Sequence, residues 1–170
     1  MSLHAAIKSI PQNSEFHEID FAEVACPVLR SGYEYWRSKC AARHFPTRED
    51  IQPREIAPYL RYVSLIKVEG DDFLYRIVGD VVVMSYAVPL QNRRLSDLAY
   101  DEPGFGCYVI PRLKRVRESG EPLAVRGKLG RDITLANFTD SENLLLPLGH
   151  DGKTVDHIMV FSNYASHPFG

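Results

Sequence analysis

Two stretches of the chain, Tyr59–Val68 and Val155–Ser162, carry apolar residues at both parities of a strand repeat. Side chains alternate between the two faces of a strand, so such a run belongs in a sheet that is covered on both faces. Everything else in the sequence has to be arranged around that requirement. Gly70-Asp71-Asp72 turns the chain after the first run, and Phe73–Val78 returns as a second strand, which makes a hairpin. Leu123, Val125, Gly127 and Leu129 alternate with Ala124, Arg126 and Lys128, the pattern of a half-buried strand. Leu144–Leu148 reads as a strand in which Pro147 removes a ladder donor, and Gly149-His150-Asp151-Gly152 is a turn into the last run.

Between and before the strands the period changes. Phe21, Val24, Val28, Leu29, Gly32, Trp36 and Cys40 recur at spacings of three and four, which is one helical face. Pro27 either opens this helix as its first residue or kinks it. Pro46 and Pro53 exclude a long helix between them, and a short turn of helix is expected over 53–57. Residues 81–86 fit a strand or a short helix, and Pro89–Asp97 reads as connection. Phe105, Tyr108, Val109, Leu113 and Val116 give a helix closed by Gly120, interrupted by Pro111. Gly104-Phe105-Gly106 reads as loop punctuation, and Gly130–Asn143, with Ile133, Leu135 and Phe138, fits a short strand or helix. The expected domains are a polar lead-in over 1–16 and a single α+β unit over 17–165 with one antiparallel sheet.

At 170 residues, 45% hydrophobic, 25% charged and with a formal net charge of -2, the chain has the balance of one ordinary globular domain. Nothing in that charge draws it to nucleic acid or to an anionic membrane. Cys26, Cys40 and Cys107 are too few and too far apart for a disulfide framework or a metal site, which fits a reducing cytoplasm. No apolar run reaches the length of a membrane span, and Met1–Phe16 has no signal-peptide pattern.

The element order, helix, two strands, helices, three strands, resembles that of a PAS domain. More narrowly, the sequence is similar to a bacterial PAS-type family once catalogued as a domain of unknown function. The residues that carry the resemblance are Tyr35-Trp36-Arg37, Arg43, Pro46-Thr47-Arg48-Glu49-Asp50-Ile51-Gln52-Pro53, Leu65-Ile66-Lys67-Val68, the run Asp72–Gly79, and Leu145-Leu146-Pro147-Leu148. They span about Leu29 to about Phe161 and are structural rather than catalytic motifs. The resemblance implies a five-stranded antiparallel sheet in the order 2-1-5-4-3 with helices on one face and an N-terminal helix. The strands starting at Tyr59 and Val155 would then be the inner pair and the one starting at Leu123 an edge. Pro147 would sit in a non-edge strand, an unusual place for it.

PAS-like domains hold ligands between sheet and helices, and the candidates for that space are Tyr75, Arg76, Met84, Tyr86, Phe105 and Tyr108. Arg76 needs a carboxylate if it points inward, from the protein or from an acidic ligand; a surface ion pair is the simpler reading. Trp36, Val28 and Leu29 are the candidate interaction face of the N-terminal helix, against the plainer reading of Trp36 as an anchor to the sheet. Strand alternation puts Asp156 and His157 on opposite faces, which excludes a dyad between them. Cys107 near a helix start is a candidate redox thiol or a small buried hydrophobe. Arg112, Lys114, Arg115 and Arg117 read as the solvated end of a helix, with nucleic-acid contact the weaker alternative. No GxSxG, HExxH or P-loop is present.

The sequence thus predicts a cytoplasmic PAS-like sensory or interaction module rather than an enzyme. It would act through a small-molecule ligand, as a homodimer, or through a separate partner protein, since no output domain fits within 170 residues. The sequence names no ligand or cofactor. The alternative is a hydrophobic-ligand carrier or small enzyme built on a similar α+β cavity.

Overall fold

The computed structural model describes residues 15–86, 88–101, 103–128 and 138–166. Six strands form one sheet: β1 (Glu15–Glu18), β2 (Val63–Glu69), β3 (Asp72–Val78), β4 (Leu123–Lys128), β5 (Asp140–Leu148) and β6 (His157–Ala165). Their order is β1-β4-β5-β6-β2-β3, antiparallel at every pairing. The sheet therefore has six strands, not five. The added one, β1, begins inside the expected polar lead-in. Only Phe16 in Glu15-Phe16-His17-Glu18 is apolar, too little pattern to announce a strand.

The helices are α1 (Pro27–Cys40), α2 (Asp80–Ser85), α3 (Leu95–Asp101) and α4 (Pro103–Ser119), with 3₁₀ turns over Phe21–Glu23 and Ala57–Tyr62. Pro27 is the first residue of α1, where its missing N–H costs nothing. Helix α4 runs through both Gly104-Phe105-Gly106 and Pro111, so neither marks a break. The expected features at 130–137 and the side chains of Phe105 and Cys107 lie outside the described residues.

The helices cover both faces of the sheet, not one. On the first face α1 packs on β5 and β6. An added Cβ at Gly32 would stand 2.7 Å from the Phe161 ring, so only glycine allows this approach. The Trp36 indole N–H donates to the Pro147 carbonyl at 2.9 Å. Pairing of β4 with β5 ends at Leu123↔Leu145, so past that point β5 has no neighbour on that side. Pro147 turns its carbonyl there, towards Trp36, and its missing N–H leaves no ladder bond unmade. On the second face lie α2, α3 and α4. This double cover explains why Leu144, Leu145, Leu146 and Leu148 are all buried, as the two-parity runs require.

One carboxylate ties the approach to α1 to the sheet. Glu142 of β5 is fully buried and accepts from the backbone N–H groups of Ala25 (3.0 Å) and Cys26 (2.9 Å), just ahead of the helix. Its Oε2 also takes the Arg126 guanidinium at 2.9 Å. Both outer strands of the sheet are blunted. β1 is four residues long and mostly polar, and the edge of β3 is met by the segment around Asn92, whose N–H donates to the Tyr75 carbonyl at 2.7 Å.

Candidate functional site

A cavity of about 60 Å³ lies on the second face, between the sheet and the helices α2 and α4. Its floor is the inward parity of the central strands: Ser64 and Ile66 of β2, Tyr75 of β3, Leu145 of β5, Val160 and Ser162 of β6. Its roof is Val82 and Tyr86, from α2 and the residue after it, and Tyr108, Arg112 and Leu113 from α4. Phe16 of β1 closes the remaining side.

Half of the polar residues lining it are tyrosines, the others being Ser64, Ser162, Asn143 and Arg112. The Tyr86 and Tyr108 hydroxyls share a short hydrogen bond. Tyr86 also stands edge-on to Phe138 at 5.4 Å and to Tyr164 at 5.8 Å. Burial pushes the Tyr75, Tyr86, Tyr108 and Tyr164 hydroxyls above the ordinary phenol pKa, and their mutual proximity adds to this for the first three. All four are therefore protonated at neutral pH and serve as hydrogen-bonding groups rather than bases.

Ser64 is different. It is 2% exposed, and its hydroxyl has no hydrogen-bond partner among the described residues. A buried polar atom left this way costs about 1–3 kcal/mol, which invites a partner from outside the chain.

Arg112 stands at the closed side. Its guanidinium donates to the Tyr108 carbonyl and lies 4.9 Å above the Phe16 ring. Burial lowers its pKa from the usual value, partly offset by Tyr108, although an arginine stays charged regardless. No carboxylate pairs with it among the described residues. Phe16 in turn stacks on Tyr108, centroid to centroid 4.8 Å with planes 2° apart. Phe16 faces Gly127 across the β1–β4 pairing, and a Cβ there would lie 1.9 Å from the phenylalanine ring. Gly127 is the vacancy into which Phe16 fits.

Three of the six expected cavity residues, Tyr75, Tyr86 and Tyr108, meet in this lining. Arg76 does not. The β2–β3 register slips between Leu65 and Ile66, so Arg76 is an unpaired bulge residue that turns outward. Met84 is 69% exposed on the outer side of α2. Phe105 lies outside the described side chains. Of the expected interaction face, Leu29 and Trp36 are buried in the α1–sheet core, where no partner reaches them, and Val28 is half-buried.

The basic cluster on α4 is also not a free solvated end. Arg112 borders the cavity, Arg115 pairs with Glu18 of β1, and Arg117 donates to the Gly70 carbonyl at 2.8 Å and lies over the Phe73 ring. Asp156 and His157 do meet. The strand starts at His157, so alternation does not apply to Asp156, whose carboxylate accepts from His157 Nδ1 at 2.7 Å and His150 Nδ1 at 2.8 Å. The described residues contain no group of three or more metal-ligating side chains.

Sequence reasoning missed Phe16, Ser64, Ser162, Tyr164 and Arg112 as lining. The available signal was that Tyr108 and Arg112 stand four apart on one helix and so share a face. The other missed residues needed the sheet register. A broader open groove on the first face, bordered by Leu60, Leu65, Ile77 and Met159, has no orphaned polar group.

Among the described residues no helix is long and apolar enough to cross a membrane. No curated protein matches the chain. A family model described as PAS domain matches residues 25–160, which takes in β2 to β5, the first part of β6 and helices α1 to α4, but not β1. By that match and by its α+β architecture, the chain belongs to the PAS domain family.

Proposed function

We propose that this domain is a sensory module whose signal is a small molecule held between α4 and the sheet. The observation that carries the reading is the Ser64 hydroxyl, buried and without a partner among the described residues on the floor of this cavity. Supporting a binding role over catalysis, the neighbouring phenols are held protonated by burial and cannot act as bases near neutral pH. The domain works in the cytoplasm, and occupancy is passed on by contact with a second copy or a separate partner protein.

Native mass spectrometry with an ultraviolet-visible spectrum of the purified protein tests this, followed by thermal melts across a metabolite panel. A retained small molecule, or a ligand that raises the melting temperature, is the expected result. No retained mass together with no shift from any compound refutes it.

A further inference from the structure

The lining contains two unmet demands, and they are different in kind. At one side stands Arg112, a half-buried cation whose described partners are a backbone carbonyl and the face of Phe16. On the floor stands the Ser64 hydroxyl, with none. An aromatic face is a weak substitute for a carboxylate, because a cation withdrawn from water is well compensated only by an anion with good hydrogen-bond geometry. The Phe16 ring therefore occupies a place that an anion would fill better.

Beyond its stack on Tyr108 and its seat at Gly127, little holds Phe16 in place. It belongs to a four-residue strand at the end of the sheet, paired to β4 alone and tied to α4 by the Glu18–Arg115 ion pair. Exposed pairs of that kind contribute little to stability. The space below it, about 60 Å³, admits roughly four to six water-sized heavy atoms at ~10–15 Å³ each.

We propose that the ligand is a short-chain monocarboxylic acid whose carboxylate takes the place of the Phe16 ring on Arg112 and whose tail, carrying one hydroxyl or keto oxygen, reaches Ser64. The inference rests on the ligand-binding reading above and narrows it to one chemical class. The carboxylate accepts from the guanidinium fork, the aliphatic part lies among Ile66, Val82, Leu113 and Leu145, and the tail oxygen satisfies Ser64. Displacement of Phe16 frees β1 from the sheet edge, so occupancy is written into the N-terminal strand.

The test titrates the whole chain with 4-oxopentanoate, 5-hydroxypentanoate and pentanoate, and with 2-pentanone and 1-pentanol as uncharged counterparts. Calorimetry gives affinity, and amide NMR at Gly127, beneath the Phe16 ring, reports its position. The acids are expected to bind at least tenfold tighter than the uncharged compounds. Arg112→Gln abolishes that preference, and Arg112→Lys restores part of it. Ser64→Ala removes the advantage of the oxygenated acids over pentanoate. Phe16→Ala tightens acid binding about three- to tenfold, the equivalent of a lost cation–π contact of about 0.7–1.4 kcal/mol. Saturating acid moves the wild-type Gly127 resonance towards its position in Phe16→Ala. Melts of each variant establish that it is folded.

Equal binding of acids and uncharged compounds, or undiminished acid binding by folded Arg112→Gln, overturns the proposal while leaving a ligand cavity in place. Absence of binding by every compound to both wild type and Phe16→Ala overturns it as well, and the metabolite panel then decides the broader reading separately.

Discussion

Replacing Glu142 by alanine should unfold the chain more readily than any surface change, and the size of the effect follows from its partners. Glu142 is fully buried and serves three donors: the N–H groups of Ala25 and Cys26, and the Arg126 guanidinium. Removing one member of a buried ion pair costs about 3–5 kcal/mol, and each orphaned N–H adds about 1–3 kcal/mol where water cannot reach it. One fact tempers the sum. Ala25, Cys26 and Arg126 are all only half-buried, so water satisfies part of what is lost. The expected loss for Glu142→Ala is therefore about 3–5 kcal/mol, or a drop in melting temperature of roughly 6–20 °C for a domain of this size.

Glu142→Gln keeps a single acceptor oxygen, enough for one of the two N–H groups and not for both, and should recover only part of the loss. Trp36, the single tryptophan, sits on the α1 face that Glu142 helps to fix, so urea unfolding followed by its fluorescence is the assay. A double-mutant cycle with Arg126→Met isolates the ion pair from the backbone bonds. The reasoning is refuted if Glu142→Ala shifts stability by less than about 1 kcal/mol, the ordinary range of a surface substitution.

Further outcomes follow from the same geometry. Trp36→Phe removes the donor to the Pro147 carbonyl and some buried area, and should cost about 1–3 kcal/mol in the same urea assay. Gly32→Ala gains helix propensity of about 1 kcal/mol but drives a methyl into the Phe161 ring, so a net loss of about 0.5–2 kcal/mol is expected; net stabilisation in calorimetry would contradict the close approach. Gly127→Val should expel the Phe16 ring from its stack on Tyr108, read as loss of the ring-to-ring NMR contacts. The Asp156 carboxylate raises the His150 pKa above its ordinary 6.5, chiefly by a hydrogen bond. Burial would raise Asp156, but the hydrogen bonds from the two histidines outweigh it and its pKa falls. The raised histidine stabilises fully below about pH 6.5 and loses that as pH rises through its folded pKa; the lowered aspartate stabilises above about pH 4 and loses that as pH falls. The 149–157 turn should be firmest between about pH 4 and 6.5, and an NMR titration of His150 that returns an unshifted pKa would refute the coupling.

Much of the sheet was legible because burial on two faces leaves a mark that no other element leaves. The run at Tyr59–Val68 gave β2 only from Val63, its first four residues forming a 3₁₀ turn instead, the run from Val155 gave β6 from His157, and the cleanly alternating stretch became β4, which has the short β1 on its outer side. Pro27 left two readings, a helix start or a kink, and the structure takes the first. What was not legible depends on one-residue register. Arg76 is turned outward by a bulge that nothing in Tyr75-Arg76-Ile77 announces. Phe16 was invisible because a lone aromatic among charged residues has no period, and its role needs Gly127, more than a hundred residues away, to make sense. Arg112 was legible as basic but not as half-buried, since a run of like charges at Arg112, Lys114, Arg115 and Arg117 reads as solvated. Asp156 and His157 were separated on the assumption that both lay in a strand whose first residue is in fact the second of them.

The Trp36–Pro147 bond has an asymmetric consequence under mutation. One end is a side chain and the other a main-chain carbonyl. Any residue at 147 would still present that carbonyl, so substitutions there leave the acceptor in place. No other residue type at 36 offers an indole donor at the same reach. The attachment of the helix to the sheet can be erased by a change at one of its two ends and hardly at all by a change at the other.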